Sequence, residues 1–248
     1  MPTLTVCPPS TPVGPSYQAR TVTVLLPGSD RPTWTSLNRA VHTAIHEWAT
    51  GWSPVFQVPP RGVCARILRR PDRVLARVRT TTRTSWCAGG RKVDLLAGIS
   101  RMRAVAQDRA VWDYAYWQQV VAGTPTALTL SQIRDRRHGK NLPQDALVRE
   151  YEMQPRVVAM RLANIDPRRQ VTLDEENLPL LQTNADTYTR WQVMAAVPGD
   201  EVITLDGTFL YPRSDRFDHR MEYLQQANSH IDRLAGKDWM VQLRRAAD

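Results

Sequence analysis

Lysine is nearly absent: Lys92, Lys140 and Lys237 stand against thirty arginines in 248 residues. The basic chemistry of this chain is therefore that of guanidinium, a planar group that grips phosphate in a bidentate fork and stacks on flat rings. Cysteine is scarce as well. Cys7, Cys64 and Cys87 are odd in number, lie far apart and form no CxxC, which argues against a disulfide framework and a cysteine zinc site and for reduced thiols. No apolar run approaches the roughly 18 residues of a membrane span. The opening MPTLTVCPPSTPVGPSYQAR has neither the basic nor the apolar region of a signal peptide. A cytoplasmic or virion location without membrane contact is expected. The chain contains no GxxxxGK[ST], GxGxxG or GxSxG, and no ExK. Those absences argue against a P-loop, a dinucleotide fingerprint, a nucleophile elbow and a PD-(D/E)xK nuclease.

What is present is globular: 42% hydrophobic residues with eight tryptophans, in a chain long enough to bury a sizeable core. The formal charge of +9 is concentrated. Arg61 to Lys92 holds ten basic residues and one acid, Asp72, which leaves 23 basic and 23 acidic residues elsewhere out of 33 and 24. The whole imbalance thus falls in about one eighth of the chain, and a patch of that kind implies a partner of opposite sign.

Within this window Val63, Ala65 and Ile67 alternate, Pro71-Asp72 offers a turn, and Val74, Ala76 and Val78 alternate again. Period two on both sides of a turn predicts a hairpin with one apolar face. The opposite face would carry Arg66 and Arg70 on one strand, and Arg73, Leu75, Arg77, Arg79 and Arg83 on the other. Neighbouring like charges on a sheet destabilise it unless something neutralises them. Asp72 alone cannot, so a polyanion is expected, with Trp86 as an adjacent stacking surface. Carboxylates from elsewhere in the fold are the plainer alternative.

Composition and patterning divide the chain into four segments. Residues 1–19, rich in Pro, Ser and Thr, form an arm. Residues 20–123 form a basic α/β domain ending in a long helix. Residues 124–170 are a helical segment, and 171–248 an α+β segment. The fold class is α+β. Thr21–Leu26 reads as a strand. Trp34–Thr50 reads as an amphipathic helix with Leu37, Val41, Ile45 and Trp48 inward. The β-α-β-β order is that of half a ferredoxin-like or RRM-like domain, without the aromatic RNP signature. A helix is expected from Lys92 to Ala122, its Trp112, Tyr114, Tyr116 and Trp117 serving mainly as core. A short helix is expected from Tyr188 to Ala196, a hairpin around Asp206-Gly207, a helix from Asp218 to Leu234, and a short tail with Trp239, Met240 and Leu243.

The stretch LPQDALVREYEMQPRVVAMRLANI, residues 142–165, resembles a helix-turn-helix. Leu147, Val148 and Tyr151 match the inward face of the first helix, Met153 the turn hydrophobe, and Val158 and Leu162 the anchors of the second. Glu152 stands where the family usually has glycine, and Val148 where it usually has alanine. The resemblance covers about a tenth of the chain. It implies that Gln154, Arg156, Val157 and Arg161 lie on or near a recognition helix, with Arg156 and Arg161 reaching base edges.

Other chemistry is thin. His42 and His46 stand at i and i+4, a metal-ligand spacing, but position 43 is Thr and HExxH is missing. Arg213, Asp215, Asp218 and His219 gather acid, base and guanidinium, yet alternating charges before a helix more often cap it. No catalytic residue, metal or cofactor is expected, and an enzyme (a nuclease or RNA-processing activity) is the minor reading. The expected function is non-enzymatic nucleic-acid binding, DNA before RNA, by a phage, virus or mobile-element protein that is a homo-oligomer or part of a larger assembly. The alternative is a structural protein of a virion or large complex, its basic face meeting genome or a neighbouring subunit and its arm clasping the next protomer.

Overall fold

The computed structural model describes residues 20–58, 73–79, 85–137, 143–167, 171–214 and 216–246. In chain order the elements are β1 (Arg20–Leu26), α1 (Trp34–Ile45), β2 (Ala49–Trp52), β3 (Phe56–Val58), β4 (Val74–Leu75), β5 (Val78–Arg79), β6 (Ser85–Cys87) and β7 (Gly89–Arg91). The long helix α2 (Lys92–Val120) comes next, then α3 (Leu130–Arg136), α4 (Gln144–Glu152), α5 (Pro155–Ile165), α6 (Leu178–Leu181) and α7 (Ala185–Ala195). The chain ends with β8 (Glu201–Ile203), β9 (Phe209–Leu210), α8 (Phe217–Arg233) and β10 (Trp239–Arg245). The fold is α+β. A seven-stranded mixed sheet runs β4-β7-β10-β1-β8-β9, with β2 also on β10, and β3-β6-β5 form a second sheet.

The expected C-terminal tail is the central strand β10. It pairs antiparallel with β1 along seven residues, from Arg20↔Arg245 to Leu26↔Trp239, and also with β2 and β7. Trp239, Val241 and Leu243 join Val22 and Val24 of β1 on one face, where Leu37 and Val41 of α1 cover them. Met240 and Leu25 face the other way, into the core made by Leu95 and Ile99 of α2 and Leu224, Ala227 and Ile231 of α8. A strand covered on both faces buries consecutive side chains, and that is why Trp239–Leu243, with Gln242 as its one polar member, does not alternate.

Helix α1 starts on a capping box, with Thr33 accepting from the Ser36 amide. It stops earlier than its periodicity suggests. His46 adopts φ 58° and caps the helix by donating to the His42 carbonyl. Asn38 then accepts from the Ala49 amide at 2.7 Å and turns the chain into β2. Trp48, expected inward, is exposed and stacks on His42 at 4.3 Å. Helix α2 spans the expected range and lies closely on β3: a Cβ at Gly98 would sit 2.4 Å from the Gln57 carbonyl oxygen. Lys92, one of the three lysines, donates to the carbonyls of Asp232 and Leu234 at 2.6 and 2.9 Å, serving the open end of α8. Trp117 is core, whereas Trp112 is exposed.

Among the described residues no helix is long and apolar enough to cross a membrane.

Candidate functional site

The basic window is only partly described. Residues 59–72 and 80–84 lie outside, and with them Arg66, Arg70, Arg83, the first expected strand and its turn. The second expected strand is two short strands. Val74 and Leu75 pair with Gly90 and Gly89 in the large sheet, while Val78 and Arg79 pair with Trp86 and Ser85 in the small one. Between them Ala76 takes φ 48°. The strand thus breaks at Ala76 and passes from one sheet to the other, so a single alternation does not run through it. Leu75, expected on the arginine face, is buried, and Val78, expected on the apolar face, is half exposed.

Arg73 projects from the start of β4 with its side chain 84% exposed and Asp94 3.8 Å away. The β4–β7 register, one step past Val74↔Gly90, sets Arg73 opposite Arg91. The Arg91 guanidinium lies over the Trp239 ring at 5.7 Å. Arg31 reaches the same strand, donating to the Val74 carbonyl at 3.2 Å. The sheet therefore brings Arg31, Arg73 and Arg91 to one edge, although sequence reasoning selected only Arg73. Arg91 was within the basic window, but the pairing that sets it across from Arg73 is a tertiary fact. Arg77 is half-buried in the crossover, and Trp86 is half-buried in β6. Guanidinium groups at an exposed sheet edge offer bidentate contacts to phosphate oxygens without reading bases.

Helices α4 and α5, which carry the helix-turn-helix resemblance, are joined through Met153 and Gln154. The facing differs. Val157 and Met160 are fully buried, whereas the expected anchors Val158 and Leu162 are exposed, as is Met153. Gln154 bridges backward, accepting from the Leu128 amide at 2.6 Å and donating to its carbonyl at 2.8 Å. Arg156 donates to the Thr124 carbonyl at 2.8 Å and to Gln182 Oε1 at 3.0 Å, and lies over the Trp117 ring at 5.5 Å. Burial lowers its pKa from the ordinary arginine value. Arg161 forks onto Glu175 at 2.7 and 3.0 Å and reaches Glu152 at 3.1 Å. The hydrogen bond that it donates to Glu175 is the main cause that raises its pKa. Both guanidinium groups are thus engaged within the chain, and the outward side of α5 is Val158, Leu162 and Ile165.

The remaining candidates are surface arrangements. The His42 and His46 rings meet edge to face at 6.2 Å. Among the described residues no group of three or more His, Cys, Asp or Glu side chains is placed to hold a metal ion. Arg213 reaches Glu222 at 3.4 Å, Arg216 grips Asp218 at 3.0 Å, and His219 Nδ1 lies 2.8 Å from Ser214 Oγ. Arg216 is the main cause that lowers the Asp218 pKa from the ordinary carboxylate value. Asp215 lies outside the described residues. No family model, curated protein or solved structure matches this chain.

Proposed function

We propose that this is a non-enzymatic nucleic-acid-binding protein that holds phosphates along its arginine-bearing sheet edge, duplex DNA before RNA. The observation that carries the reading is that the entire charge imbalance lies within Arg61–Lys92. The described end of that window, at Arg73 and Arg91, is an exposed rim. Arg77 and Trp86 lie half-buried near it, and Arg66, Arg70, Arg79 and Arg83 belong to the same basic window of the sequence. The internal pairing of Arg156 and Arg161 supports binding that tolerates sequence, since neither is held toward a groove. The test is fluorescence anisotropy of labelled duplex DNA and single-stranded RNA at two salt concentrations, with wild type beside an Arg73→Glu, Arg77→Glu, Arg79→Glu variant. Tight binding with a steep salt slope that the variant loses supports the reading. Wild type without affinity for either polymer ends it.

A subunit of a virion or other large assembly is the second reading. The exposed apolar side of α5 favours it, because such surface on a folded chain is commonly an interaction site. Elution of the pure protein as a large particle without nucleic acid would favour it over the first.

A further inference from the structure

A cavity of about 380 Å³ opens between α2, α7 and the segment from Thr172 to Leu181. That volume is within the roughly 300–1,000 Å³ of small-molecule sites. Ala110, Ala195 and Leu181 contribute apolar lining. The charged groups are the carboxylates of Asp113 and Asp174 and the guanidinium of Arg109. In a chain of net charge +9, this concavity has more carboxylates than cations.

The two acids differ. Asp174 is engaged, accepting from the Glu176 amide at 3.0 Å and from Asn177 Nδ2 at 3.1 Å. Asp113 is poorly compensated: its side chain is 15% exposed, and its ion pair to Arg109 is long at 3.5 Å, with Arg109 itself 73% exposed. Burial raises the Asp113 pKa despite Arg109. The nearby Tyr188 phenol is pushed up to about 12, by burial first and then by Asp113, so it remains a neutral donor. A partly desolvated carboxylate whose cationic neighbour lies largely in solvent is stabilised by a second cation brought beside it. An anion entering here would meet two carboxylates.

We propose that this cavity binds a small organic cation, an amine or guanidine on a short apolar stem, with its head on the Asp113 carboxylate and its stem along Ala110, Ala195 and Leu181. The inference does not depend on nucleic-acid binding, whose phosphate ligand has the wrong sign for this site.

The test is isothermal titration calorimetry of the full chain with n-butylguanidinium, n-pentanol as a neutral probe of similar length, and butyrate as an anion. Saturable binding of the cation alone is the expected result. Asp113→Asn should weaken it by about tenfold or more, the usual scale for losing a hydrogen bond to a charged group. Ala195→Phe, which fills the cavity and leaves its charges, should abolish it. Circular dichroism establishes that each variant is folded. If one variant does not fold, the other decides, and if neither folds, discrimination among the three probes by wild type decides. The inference is overturned by absence of cation binding at millimolar concentration, by equal binding of pentanol or butyrate, or by unchanged affinity in a folded variant.

Discussion

Arg245 and Glu201 reach across β1 to form a bidentate ion pair inside the large sheet. Nε of Arg245 lies 2.8 Å from Oε2 of Glu201, Nη2 completes the fork onto Oε1, and the two side chains are 5% and 4% exposed. Glu47 holds the remaining guanidinium nitrogen, and Arg20 approaches Glu201 at 3.7 Å. Two guanidinium groups and two carboxylates thus lock the last strand to β8 and to the turn before β2. Removing Glu201 leaves the buried Arg245 guanidinium with Glu47 alone, a carboxylate that is 37% exposed. Glu201→Gln should lower the unfolding free energy by about 3–5 kcal/mol, read from urea melts with an unchanged slope. A loss below about 1 kcal/mol, the scale of an ordinary exposed pair, would mean that the buried fork adds little.

Arg156 gives a second prediction, which separates a recognition side chain from a structural one. Its guanidinium joins the end of α2, the Thr124 turn and Gln182. Arg156→Ala should cost about 1–3 kcal/mol through the acceptors it leaves behind. Affinity for duplex DNA, measured by anisotropy at the same salt, should not change. A stable variant with weakened or less selective binding would restore Arg156 to a recognition surface.

Local chemistry was the legible part of this fold. Asp206-Gly207 announces the β8–β9 turn, where Gly207 has φ 82°. The helical periodicity after Lys92 gives α2 nearly to the residue. The strand β10 was not legible, because its pairing with β1 joins positions more than two hundred residues apart, and a short apolar run without its partners reads as a tail. Ala76 carries no signal at all: a non-glycine residue at positive φ stands where the expected strand divides between Leu75 and Val78. On α5 the error was one of rotation. Adjacent positions on a helix differ by about 100°, so choosing Val158 in place of Val157 turned the expected face outward. Helix α3 was missed although its signature was present, since Thr129 and Gln132 form a capping box.

The rotation of α5 is testable by stability alone. Leu162 and Ile165 are 63% and 74% exposed, whereas Met160 is fully buried. Leu162→Glu and Ile165→Glu should each leave the unfolding free energy within about 0.5 kcal/mol of wild type. Met160→Ala should cost about 2–5 kcal/mol. The reverse ranking in urea melts would return Leu162 to the core and make α5 face as the helix-turn-helix pattern implies.

Asp113 yields the pH dependence. Burial raises its folded-state pKa above the ordinary 3.8, with Arg109 opposing the shift only in part. The native state therefore holds this proton more tightly than the unfolded chain does. The contribution to stability is full below pH 3.8, falls as pH rises through the folded pKa, and at neutral pH has become a constant penalty. Asparagine resembles the protonated acid and escapes that penalty. Asp113→Asn should accordingly melt above wild type at pH 7, and the difference should narrow as pH is lowered and close near pH 4, followed by thermal scans across that range. A variant that melts below wild type at pH 7 would show that the Arg109 pair outweighs the cost of burying the charge, and the cavity would then have its cation already.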